Sequence, residues 1–99
     1  MSTVPTVIKT LKTPWKVGGK DATEIELRAP LVEDMLNAEE EANPAVTPTR
    51  YQVALAAQTM VRAGEFTGPF TVGQFKKMTP ANLAVIREAM QEAGQLGEA

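Results

Sequence analysis

The sequence predicts an α+β fold: an N-terminal two-stranded antiparallel hairpin (residues 6–29) packed against a small helical bundle (residues 31–94) of three longer helices and one short one. Three observations carry that reading. Apolar residues alternate at period two on either side of a Gly-Gly pair between positions 7 and 29. The dipeptide Thr-Pro occurs at 47–48 and again at 79–80, each time opening a run with helical spacing. Glycines close both runs, at 64 and at 94 and 97. Ninety-nine residues fit a single domain, with flexible ends expected at 1–5 and 95–99.

In the first strand, residues 7–17, positions Val7, Leu11, Trp15 and Val17 form one apolar face, with Lys9 and Thr13 as exceptions. Pro14 cannot donate to a ladder, so this strand belongs at a sheet edge or breaks at a bulge. Residues 18–21, Gly-Gly-Lys-Asp, make the turn, a hairpin signal far more than a phosphate cradle. In the second strand, residues 23–29, Ile25, Leu27 and Ala29 alternate with Glu24, Glu26 and Arg28. Such a hairpin is marginal alone and must pack on helices. Lys9, Lys12, Lys16 and Lys20 lie in or beside the first strand, where charge guards an edge against foreign strands or receives an acidic segment. Trp15 reads as core or semi-exposed cover before it reads as a binding anchor.

Pro30 opens a short acidic helix over about 31–42. Leu31, Val32, Met35, Leu36 and Ala38 fall at helical spacing for the core, leaving Glu33, Asp34, Glu40 and Glu41 in water. An exposed acidic run lacks the environment that separates carboxyl pKa values for acid–base chemistry. After a loop over 41–49 comes the most apolar helix, residues 48–63, with Thr47 as N-cap and Leu55 in the core. Ala54, Ala56 and Ala57 permit close helix approach, or simply favour helix. The loop over 64–71 holds Phe66 and Phe70, rings that fold onto the core or form a partner patch. Thr71 to Gln74 matches a capping box opening a short helix with Val72, Phe75 and Met78 on one side. The last helix, about 80–93, carries Leu83, Ile86, Met90 and Ala93 in one stripe, with Val85 and Ala89 widening it.

Composition excludes much. With no cysteine and no histidine the chain has no disulfide, no thiolate metal site and no imidazole base, and no P-loop, dinucleotide fingerprint or calcium loop is present. A net charge of −2 argues against nucleic-acid binding through a basic face. No run approaches the roughly 20 apolar residues of a membrane span, so a cytoplasmic protein is expected.

The order of strand, Gly-Gly turn, strand and helices, with Leu11, Pro14, Gly18-Gly19, Ile25-Glu26-Leu27-Arg28, Pro30 and Asp34, resembles the opening of the small tail assembly chaperones of Mu-like and other contractile-tailed phages and prophages. The phrase from Phe75 to Leu83 extends the resemblance, with Asn82 where an acid is expected. The resemblance implies a non-enzymatic protein of the bacterial host cytoplasm, without cofactor or metal. It would bind the tape measure protein and keep it soluble while tail tube protein polymerises around it. It also implies a longer, frameshifted form sharing the N-terminal part; a structural subunit of the particle or another small interaction module is the alternative. A holdase of this kind needs adaptable apolar surface. The candidate partner-binding residues are Trp15 and Val17 near the hairpin tip and Met35 and Leu36 on the acidic helix, with Phe66 and Phe70 as second choices.

Overall fold

A computed structural model describes residues 5–97; most of the expected flexible ends lies outside them. The alternating stretch forms β1 (Thr6–Val17) and β2 (Lys20–Arg28), antiparallel and joined by Gly18-Gly19 alone. Both glycines have positive φ, 62° and 80°, the backbone that a tight two-residue hairpin turn demands. The turn is therefore tighter than the four residues expected, and Lys20 pairs directly with Val17.

At Pro14 the ladder slips, as its missing N–H requires: from the pair Thr10–Glu24 to the pair Trp15–Ala22, β1 advances five residues and β2 two. The amides this leaves unpaired are met by Asn82 from the last helix. Its Oδ1 accepts the Lys12 and Thr13 N–H groups at 2.9 and 3.1 Å, and its Nδ2 donates to the Thr13 carbonyl at 2.9 Å. A carboxylate here could accept twice but not donate, so the amide in place of the expected acid completes the clamp.

The central helix is shorter than its apolar run. α1 (Val32–Glu41) and α2 (Pro48–Thr59) are followed by β3 (Met60–Ala63), which pairs antiparallel with β2 and gives a three-stranded sheet in the order β1-β2-β3 rather than a bare hairpin. Local propensity in 60–63 yields to the free edge of β2 and to Arg62, which donates to Glu24 and Glu26 at 2.8 Å each across the sheet. Thr47 does precede the first helical residue, Pro48, but its hydroxyl donates back to the Asn43 carbonyl instead of capping.

The short helix α3 (Val72–Phe75) and the long α4 (Pro80–Gly97) complete the chain. Gln74 Oε1 accepts the Thr71 N–H at 2.9 Å, as a capping box directs. α4 continues through Gly94, where a stop was expected; a glycine inside a helix costs only about 1 kcal/mol.

Val85, Ile86, Ala89 and Ala93 of α4 form the main core with Val7, Leu11, Ile25 and Leu27 of the sheet. A second, smaller cluster joins α1 to α2 through Ala38, Ala54 and Val72, with Tyr51, Val53 and Leu55 half-buried around it. Leu55 is thus not the fully buried centre that was expected, because α2 is covered on only some of its sides. Trp15 and Val17 lie on the inward face that their alternation predicts, both 4% exposed, which corrects the expectation that the hairpin tip leaves them open to a partner. The Trp15 ring lies 4.9 Å from that of Phe75, and its Nε1 donates to the Gln74 carbonyl at 3.2 Å. The hairpin tip is covered because Phe66 lies over Gly18, where any Cβ would enter the ring. Phe66 and Phe70 stack edge to face at 5.1 Å and rest half-buried against the main core.

Candidate partner-binding surface

The rotation of α1 about its own axis is set by one acid. Asp34 accepts from both Arg28 guanidinium nitrogens, at 2.7 and 2.8 Å, and from the Leu31 N–H at 2.8 Å, so a single carboxylate ties the end of β2 to the first turn of the helix. The Arg28 hydrogen bonds hold the Asp34 carboxyl below its ordinary range against the opposing effect of burial. Arg28 also donates to the Gln58 carbonyl at 3.0 Å, and Asn37 donates to the Gln58 side chain at 3.3 Å, locking both elements to the end of α2.

Asp34 and Ala38, one helical turn apart, therefore face inward and are buried. The apolar positions expected to face the core face outward instead: Leu31 is 63%, Val32 70%, Met35 43% and Leu36 58% exposed. The helix is amphipathic as the spacing predicted but turned over, because a bidentate ion pair and a close alanine contact on α2 hold the other face. Asp34, expected in water, is the anchor.

Met35 and Leu36 lie on this outward face together with Val32, one turn before Leu36, and with Leu31 at the N-cap. Trp15, Val17, Phe66 and Phe70 do not join them, since the hairpin tip and α1 lie at opposite ends of β2. Leu31 and Val32 were missed as surface residues because periodicity gives an apolar face without saying which way it points. The sequence clue was Asp34 itself, an acid three residues after the residue before the helix and close behind Arg28 across Pro30.

Exposed Glu33, Glu39, Glu40 and Glu41 share this helix, and no basic residue lies in its last turn. Arg50 donates from Nε to the Glu41 carbonyl at 3.3 Å. Of the strand lysines, Lys9 pairs with Glu92 and Lys20 with Glu65, while Lys12 and Lys16 stand in water. Among the described residues no three metal-binding side chains converge and no helix is long and apolar enough to cross a membrane. A depression of about 420 Å³ beside the hairpin tip is lined by Val17, Gly18, Lys20, Glu65 and Phe66 among others, with its charged pair exposed to solvent. Those side chains form no nucleophile–base arrangement.

The family described as phage tail assembly chaperone proteins, E, or 41 or 14, matches residues 9–93, a span that includes the sheet from Lys9 onward, all of α1 to α3 and most of α4. No curated protein and no solved structure matches the chain.

Proposed function

The chain belongs to the family of phage tail assembly chaperones, and from that premise we propose that it is a non-enzymatic holdase that binds the tape measure protein and keeps it soluble in the host cytoplasm while the tail tube assembles. The observation that carries the reading is the outward apolar face of α1: four large aliphatic side chains in water, in a small fold that buries a full core elsewhere. Uncovered apolar area of this kind is costly unless something binds it. Met35 and Leu36 are the centre of the proposed surface, and tail tube protein and a longer form of the same chain are further partners consistent with it.

The test is co-expression with the tape measure protein of the same phage. The soluble fraction of that protein should rise with this chain present and fall back with Met35→Glu, a variant whose own circular dichroism should match the parent. Tape measure protein that stays insoluble beside well-folded parent protein would sink the proposal.

A further inference from the structure

We infer that the outward face of α1 receives an amphipathic helix whose apolar stripe is flanked by lysine or arginine, and that this is the kind of tape measure segment the protein selects; the identity of the bearer rests on the function proposed above. The shape of the site comes first. Val32–Leu36 is one row along α1, and Met35 beside it, with Leu31 at the extended N-cap, makes a second, so that the i, i+3, i+4 stripe of another helix can lie between them. A flat strand or a small molecule would leave much of these rows in water.

Charge decides which helix. Glu33, Glu39, Glu40 and Glu41 are all exposed on the element that carries the apolar rows. Asp34 is already matched by Arg28. Three of the four exposed acids crowd the C-terminal end of α1, where the helix dipole is itself negative and where lysine or arginine is the favourable occupant. Arg50 approaches that end, but it donates to a backbone carbonyl. The acids therefore repel one another and the helix end, and a cationic partner relieves both. The same charge argues against a second copy seated face to face, since α1 carries acids at both ends and no lysine or arginine to set against those of its copy.

The probes are two synthetic peptides of one amphipathic helical design with the same leucine stripe, one flanked by lysines and the other by glutamates. Binding is read by fluorescence anisotropy on the full chain. The lysine peptide should bind at least about tenfold more tightly than its twin, and its affinity should fall as salt rises. Leu36→Glu and Met35→Glu should each cost about tenfold or more, and Glu39→Lys with Glu40→Lys should reverse the preference between peptides. Equal binding of both peptides, no binding of either, or indifference to Leu36→Glu overturns the inference; so does self-association of the parent that Leu36→Glu abolishes. Parallel co-expression with the tape measure protein separates the two readings. A parent that solubilises that protein yet ignores the lysine peptide refutes only the surface, whereas one that takes the peptide but not the protein supports the surface and refutes its assigned bearer.

Discussion

Leu27 and Leu36 are chemically identical and stand on neighbouring elements, yet Leu27 is fully buried and Leu36 is 58% exposed. The contrast separates two halves of the molecule. Where α4 crosses the sheet, large side chains interdigitate and alternation dictates which way each points. Where α1 meets α2, the contact is made by alanines and by charge, and large side chains are left outside. One half is held by area removed from water, the other by a few directional bonds that fix orientation.

The largest expected effect lies in the first half. Ile86 is 0% exposed in the main core, so Ile86→Ala should lower stability by roughly 2 to 5 kcal/mol in a urea titration. Leu55→Ala in the second half should cost distinctly less, because Leu55 is already half-wet and little new void is made. Equal losses at both sites would erase the distinction between the halves.

Next comes the clamp that joins α4 to the β1 bulge. Asn82→Asp keeps the two acceptor contacts, removes the donor to the Thr13 carbonyl and places a charge where only 1% of the residue reaches solvent. The expected loss is about 2 kcal/mol, the range for an unsatisfied buried group. If a carboxylate is tolerated here without loss, the bulge is held by Pro14 alone.

How much of this was readable in advance follows the same division. The hairpin, its flaw at Pro14, the short α3 with Phe75 inward and the α4 stripe all come from local rules: period, turn glycines, a missing N–H. Residues 60–63 misled because four residues fit a helical stripe and a strand equally well. Their choice depends on Glu24 and Glu26, more than thirty residues away. α1 misled for a related reason. Its apolar spacing was correct, but the face that packs was selected by Arg28 and Asp34 rather than by burial of the larger side chains. At the candidate site, Met35 and Leu36 are exposed and so remain available to a partner, while Trp15 and Val17 are covered, since only the folded chain brings Phe75 and Phe66 over them.

A smaller effect tests that anchor. Because Asp34 is held ionised by Arg28, its folded pKa lies below the ordinary value of 3.8. The pair therefore contributes stability at neutral pH, and the contribution is lost as pH falls below about 3.8 through the depressed folded value. Asp34→Asn should cost on the order of 1 kcal/mol near neutrality, discounted because Arg28 is partly exposed. In urea titrations repeated towards pH 2, parent and variant should converge. Curves that stay parallel would mean that the pair orders α1 without stabilising it.

The smallest effect is the sharpest. If the outer face of α1 contributes nothing to the fold, Leu36→Gln should leave the unfolding midpoint within about 0.5 kcal/mol of the parent, as for surface changes in general. Leu27→Gln would put an amide into the core, with no partner among the apolar residues that surround it there. The first substitution removes an aliphatic group from water, so it should also raise the concentration at which the free protein begins to aggregate. A measurable destabilisation by Leu36→Gln would show that α1 uses this face in the isolated chain, turning inward as the spacing alone suggested. Unchanged stability combined with higher solubility means that the isolated fold does not use this leucine, which the Arg28–Asp34 pair then holds outward, free for the contact proposed above.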